Sequence, residues 1–204
     1  VQTGLLVARQ CDKFVHKHHP TYPEDKLYQI IETSKCCKAR LLHYFSRTAE
    51  EIAADNSTDL EYSNWCGWHN DHGSLTGLVG AIYTDDNGNQ VPCPDPTAGL
   101  YVRNRRSELV KVNIPPDHLA FQIGETAQVH SGGLLQATPH AVRGANVPGV
   151  SRQTYAVFME PMWDYPMDVP EGVDPAAAQT ATAAENLPRG VPRLGTRWEV
   201  GIDF

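Results

Sequence analysis

A mainly β fold is the expectation for this chain of 204 residues, and three observations carry it. Past residue 38 the apolar residues recur in short runs of period two instead of at helical spacing. The runs are numerous and close together. Gly, Pro and Asn separate them, and these residues supply turn geometry. Such a pattern argues for an all-β sandwich or barrel-like body. Only residues 1–35 read as helical.

In that first segment Leu6, Cys11, Phe14 and Val15 share one helical face, and Pro23 precedes a second amphipathic run at 27–31. His16, His18 and His19 resemble a metal cluster, but they stand at a helix end beside Pro20. Polar or cationic side chains suit the dipole there, so a solvated terminus is expected. Strands are expected at 40–45 and 75–83, the second followed by the turn Asp85-Asp86-Asn87-Gly88 and then Gln90-Val91. Residues 100–103 and 109–112 flank Asn104-Arg105-Arg106-Ser107 as a hairpin, and Arg103, Arg105 and Arg106 read as solvated turn charges. Runs at 118–123, 135–142 and 152–158 complete the set. Residues 47–61 read as a polar surface loop. From Pro161 to Gly195 prolines recur, and 176–184 is rich in Ala and Thr. This tail is expected to wrap the body or to be mobile in part. The chain thus divides into a helical segment (1–38), a β domain (39–161) and a Pro-rich extension (162–204).

Composition narrows the function. Lys and Arg number 17 against 24 acidic residues, a net charge of −7, which is a poor footprint for a nucleic-acid binder. No apolar run is long enough for a transmembrane helix, and no signal-peptide pattern is seen. The chain begins at Val1, so it is expected to lack its natural N-terminus. Five cysteines, at positions 11, 36, 37, 66 and 93, show no CxxC spacing. A reducing intracellular, cytoplasmic compartment is therefore expected in preference to a disulfide framework or a thiolate metal site.

The chemistry concentrates at Trp68-His69-Asn70-Asp71-His72. Alternate side chains of an extended chain share a face, so His69 and Asp71 point together while Asn70 and His72 point away. A third ligand is expected from His140. Two imidazoles and one carboxylate on one face leave other metal positions open, an arrangement associated with non-haem Fe(II) oxygenases. HxD alone occurs by chance. The order strengthens it: Arg152-Gln153-Thr154 follows His140 by twelve residues, and period two puts Arg152 and Thr154 on one face. A guanidinium fork and a hydroxyl together suit a carboxylate. Arg143 lies an odd number of residues from His140 and is expected to face away. Trp65, Cys66 and Trp68 read as core or cavity wall, and His118 and His130 as structural.

These residues resemble the iron(II)/2-oxoglutarate-dependent oxygenase domain of the isopenicillin N synthase-like superfamily, whose pattern is HxD, a distal His and then Arg-x-Ser. Here Thr154 stands for the Ser. Gly73-Ser74-Leu75-Thr76-Gly77-Leu78, Ile123-Gly124-Glu125 and Ser131-Gly132-Gly133 also resemble family segments, and the likeness runs from about residue 39 to 161. The resemblance implies a double-stranded β-helix (jelly-roll) core. It also implies Fe(II) held by His69, Asp71 and His140, with 2-oxoglutarate as cosubstrate reaching Arg152 and Thr154. O2 and a small organic substrate complete the reaction, which would release succinate and CO2. The family often carries Asn-x-Tyr before HxD. The corresponding stretch is His43-Tyr44-Phe45, which leaves Tyr83 or Tyr44 to supply the hydroxyl. The chain is further expected to be part of a longer protein, because the family has a longer N-terminal region and continues past a segment like 198–204.

Two other readings stay open. An oxidase of the same fold would bind its substrate's own carboxylate through Arg152 and Thr154. A non-catalytic β-helix would keep the site only for binding. A zinc hydrolase can use the same ligand types, but it gives no reason for Arg152 and Thr154.

Overall fold

The computed structural model describes residues 1–55, 64–182 and 187–204. Two N-terminal helices, α1 (Gln2–His18) and α2 (Lys26–Thr33), precede β1 (Lys38–Tyr44) and a short α3 (Ala49–Ala54). Then come β2 (Cys66–His69), β3 (Leu75–Val79), β4 (Ile82–Asp85), β5 (Gln90–Val91), β6 (Gly99–Arg103), β7 (Leu109–Lys111) and β8 (Leu119–Ile123). Helix α4 (Glu125–His130), β9 (His140–Arg143), β10 (Val150–Met159), α5 (Pro175–Thr180) and a 3-10 turn at Leu194–Thr196 complete the order. The strands form two antiparallel sheets. One has six strands, in the order β5-β4-β10-β3-β8 with β1 also on β10; the other has four, β2-β9-β6-β7.

The ten-residue β10 organises the larger sheet. Its first half pairs with β4 and its second half with β3, while β1 lies along its other edge. This explains why the run 75–83 is two strands instead of one. The chain must step between the two halves of β10, and it does so at Gly80-Ala81. A Cβ at Gly80 would sit 2.9 Å from the Ile114 carbonyl oxygen, so the step needs glycine.

The run 135–142 is also shorter as a strand than its pattern suggests. Only His140–Arg143 pairs. Upstream, Gly132 and Gly133 take positive φ angles of 61° and 87°. The Ala137 N–H donates to Gln128 Oε1 and the Thr138 N–H to the Ile123 carbonyl, so this backbone is satisfied without a ladder. Within 47–61, residues 49–54 are helical, closed by a capping box between Thr48 and Glu51; residues 56–61 lie outside the described part. Helices α3, α4 and α5 therefore add to the two foreseen at the N-terminus.

Helix α1 buries only part of the face its apolar residues suggest: Val15 is buried and Cys11 packs against the core. Leu6 and Phe14 are exposed, while Gly4, Leu5, Ala8, Asp12 and Val15 are buried. The inward stripe is built of small residues because the helix lies close on the sheet: a Cβ at Gly4 would overlap the Met159 side chain. Asp12 belongs to that face because it is needed there. Its carboxylate accepts from the Tyr22 hydroxyl at 2.6 Å and from the Leu27 and Tyr28 N–H groups at 2.8 and 2.9 Å. It thereby satisfies the first turn of α2, which has no side-chain cap of its own. His16 and His18 turn back to backbone carbonyls at the helix end.

The C-terminal extension packs against the body. Val129, Met167, Ala178, Leu194 and Trp198 form a second core cluster, and Gln128 Nε2 donates to the Ala178 carbonyl at 2.7 Å. Among the described residues no helix is long and apolar enough to cross a membrane.

His130 lies under this extension, 1% exposed, with Nε2 3.0 Å from the Pro166 carbonyl. Burial pushes its pKa down to about 3, and Lys26 acts in the same direction. The unfolded chain takes up that proton near pH ~6.5, so the fold holds the neutral form. The stability this confers is present above pH ~6.5 and is lost progressively as pH falls from there toward the folded value. Urea unfolding at pH ~7 and pH ~5 should show a loss of about 2 kcal/mol attributable to this group. His130→Gln should remove that part of the slope; equal slopes in the two proteins would show that His130 titrates normally.

Candidate metal centre

Strand pairing builds the site. His69 ends β2 and lies directly opposite His140, the first residue of β9, with ring centroids 4.1 Å apart. Asp71 follows two residues later, on the segment leading into β3. Its Oδ1 lies 3.9 Å from His69 Nε2 and 3.7 Å from His140 Nε2. One donor atom from each of the three residues falls within 4.8 Å of the others, and no other such set occurs among the described residues.

Each side chain is held by its other polar atom. His69 Nδ1 lies 2.8 Å from the Gly67 carbonyl and His140 Nδ1 3.0 Å from the Thr138 carbonyl. A carbonyl only accepts, so both rings carry a proton on Nδ1 and turn Nε2 toward the centre. Asp71 Oδ2 accepts from Thr76 Oγ1 and Gln122 Nε2, each at 2.5 Å, which leaves Oδ1 for the centre. Gln122 Nε2 is also 3.1 Å from His140 Nε2. Thr76 and Gln122 escaped the motif reading. Their signal was a polar residue at an inward phase of an otherwise apolar strand. The Cys66 thiol, 3.8 Å away, holds the His69 pKa up at about 9; burial opposes this and the Gly67 carbonyl assists it. Burial lowers the His140 pKa, with Asp71 opposing.

Two neutral-capable imidazoles and a carboxylate, each oriented by an outer partner, fit a first-row divalent ion. Neighbouring ligands on such an ion stand about 3 Å apart at bond lengths near ~2.1 Å. The Asp71 Oδ1 separations of 3.9 and 3.7 Å from the two imidazoles stand near that spacing.

A cavity of about 540 Å³ is lined from both sheets by the three residues above and by Arg152, Thr154, Tyr44 and Tyr83. Arg143 is not among its lining residues. Arg152 is opposite Tyr44 on β1 and Tyr83 on β4, so the three side chains form one row across the sheet. The guanidinium lies over the Tyr44 ring, 5.1 Å from its centroid. Arg152 is 6% exposed, yet its Nε and Nη1 are buried without a hydrogen-bond partner. A buried guanidinium with unused donors is costly unless an anion completes it. Burial raises the pKa of both tyrosines, to about 12 for Tyr83, so both remain neutral hydroxyl donors. The Thr154 hydroxyl lies in the same wall and donates to the Val79 carbonyl at 3.2 Å.

Phe45, the position matched to the family tyrosine, is 76% exposed on the outer side. The inward residue is Tyr44, one position earlier. The phase of β1 relative to β10 sets this, and the motif spacing alone did not reveal it.

No protein-family profile and no curated protein matches the sequence. Solved structures do. JOX2, solved in complex with 2OG, Fe and JA, aligns with a TM-score of 0.57 at 19% identity, over 92% of this chain and 44% of JOX2. A Shewanella oneidensis protein described as an oxygenase aligns with a TM-score of 0.55 at 18% identity, over 82% and 56% of the two chains. A full-length Neurospora crassa protein, solved in complex with alpha-KG and 5-formyluracil, aligns with a TM-score of 0.51 at 16% identity, over 87% and 53%. The chain shares the fold of JOX2 and of a Caulobacter crescentus structure described as a 2OG-Fe(II) oxygenase family protein. It spans about half the length of the structures it matches.

Proposed function

We propose that this chain forms the double-stranded β-helix core of an Fe(II)- and 2-oxoglutarate-dependent oxygenase acting on a small organic molecule. One observation carries the reading. A convergent His69, Asp71 and His140 set shares a cavity with Arg152, whose buried guanidinium has two unused donors. Solved structures of this fold that bind iron and 2-oxoglutarate support the same reading.

His69, Asp71 and His140 would hold the iron, which supplies the oxidation of substrate by O2 when bound. The chain's own residues do the rest. The Gly67 and Thr138 carbonyls fix the imidazole tautomers. Thr76 and Gln122 keep Asp71 presenting a single oxygen. Arg152 pairs with the distal carboxylate of 2-oxoglutarate, and Tyr44 and Tyr83 flank that pair with neutral hydroxyls. Thr154 reaches the same carboxylate by turning its hydroxyl from Val79. The cavity wall keeps bulk water from these groups, which strengthens each charged contact.

The test is release of succinate from 2-oxoglutarate by the full-length protein with Fe(II) and O2. The expected result, across a panel of small organic acids, amides and aromatic compounds, is stimulation by a subset. Phe45, at the position matched to the family tyrosine, is exposed, which gives weight to a second reading, an oxidase of the same fold that does not use 2-oxoglutarate. Oxygen uptake with substrate and no succinate would establish that one instead.

A further inference from the structure

Of the four residues His69-Asn70-Asp71-His72, the odd-numbered pair faces the centre, and the other two are held from outside by residues remote in sequence. Asn70 Nδ2 donates to Glu125 Oε1 at 3.0 Å. His72 Nε2 lies 2.6 Å from Arg197 Nη1, and a guanidinium only donates, so His72 accepts through Nε2. Arg197 Nη2 closes the loop on the same Glu125 Oε1. One carboxylate oxygen and one guanidinium thus tie both outward residues of the segment.

The backbone is gripped at the same place. The N–H groups of Gly124, Glu125 and Thr126 donate to the carbonyls of Ser74, Asp71 and His72, at 3.1, 2.9 and 3.1 Å. Thr126 Oγ1 adds a second bond to the His72 carbonyl at 2.7 Å. This approach is so close that a Cβ at position 124 would lie 2.1 Å from the Gly73 carbonyl oxygen, which only glycine allows. The Glu125 side chain is 7% exposed and that of Arg197 29%. The pair is anchored at its buried Glu125 end, where a charge-assisted bond is screened less by solvent than a fully exposed one.

We infer that Glu125 and Arg197 are positioning residues of the metal site, and that the C-terminal extension is part of its scaffold. Resting on the metal reading above, the inference adds that Arg197 orients Asp71 and His69 through the two residues alternating with them. Removing the tie lets the segment rotate, and the ligand set loses its preorganisation. Outer partners of metal ligands typically contribute roughly 10–100-fold to metal affinity. Arg197 acts one residue further out, so the lower end of that range is expected.

The test uses the whole chain with Co(II) alone as probe. Affinity is read from the Co(II) visible absorption, and the stability of the metal-free protein from thermal melting. Arg197→Ala should weaken Co(II) binding about tenfold. Arg197→Lys should recover only part, because one ammonium cannot reach Glu125 and His72 in the fork geometry. Arg197→Ala leaves the Glu125 carboxylate buried without its cation. Asn70→Ala is therefore measured beside it, since it cuts the direct tie without unpairing a charge; a severalfold loss is expected. Tyr22→Phe, which breaks the remote bond to Asp12, should lower the melting temperature and leave Co(II) affinity unchanged. Wild-type Co(II) affinity in both Arg197→Ala and Asn70→Ala, with binding lost in His69→Ala, overturns the inference and leaves the metal reading standing. Wild-type affinity in His69→Ala as well overturns both.

Discussion

Asp71→Ala is expected to abolish Fe(II)-dependent turnover and to reduce divalent-metal affinity by more than ~100-fold, beyond the range typical of losing an outer partner. The carboxylate is the one anionic donor in the set, and its Oδ1 lies 3.9 and 3.7 Å from the two Nε2 atoms. Its removal also strands Thr76 Oγ1 and takes from Gln122 Nε2 one of its two partners. Each buried donor left unpaired costs roughly 1–3 kcal/mol, so the metal-free variant should also melt earlier. His69→Ala separates the two effects. The His69 side chain is 41% exposed, so its loss should spare the fold while still removing a ligand. Titration with Mn(II) by calorimetry, alongside thermal melting of the metal-free proteins, measures both quantities. Normal turnover in Asp71→Ala, His69→Ala or His140→Ala would remove that residue from the proposed ligand set.

Arg152→Lys should raise the 2-oxoglutarate requirement at least about tenfold, since a loss of ~1.4 kcal/mol corresponds to that factor. Hydrogen bonds to a charged group contribute about 1.5–3 kcal/mol, and an ammonium cannot reproduce the planar fork. The structure sharpens this expectation. Arg152 already lies buried between Tyr44 and Tyr83 with two idle donors, so its unmet need is local and specific. Tyr44→Phe and Thr154→Val should each produce a smaller rise, and Arg143→Lys almost none. Initial rates of succinate release against 2-oxoglutarate concentration decide the matter. An unchanged requirement together with weaker substrate binding would favour the oxidase reading.

Much of this arrangement was legible in the linear chain. His69 and Asp71 sit two apart, and so do Arg152 and Thr154. Period two is imposed by the backbone, so the shared face of each pair needs no knowledge of the fold. The turn at residues 85–88 was equally readable, because Gly88 takes a φ of 81° that side-chain-bearing residues rarely adopt. His140 was expected beside the first pair, an expectation that the family resemblance shares, and β2–β9 pairing sets its ring against His69.

What only the tertiary structure decided has a common physical cause: it depends on the phase of one element against another, which no local pattern contains. Tyr44, not Phe45, faces the cavity because β1 pairs with β10 in the register that sets Tyr44 opposite Arg152. The run 75–83 is broken because β10 takes two partners along one edge, and Ile114 crowds the step at Gly80. Leu6 and Phe14 lost the inward face of α1 to Gly4, Ala8 and Asp12, since close packing favours small residues and α2 needed a cap. Gln122 and Arg197 reach the segment 69–72 across 51 and 125 residues of sequence. Contacts of that separation are set by chain topology, whereas alternation along a strand is set by the covalent geometry of each residue.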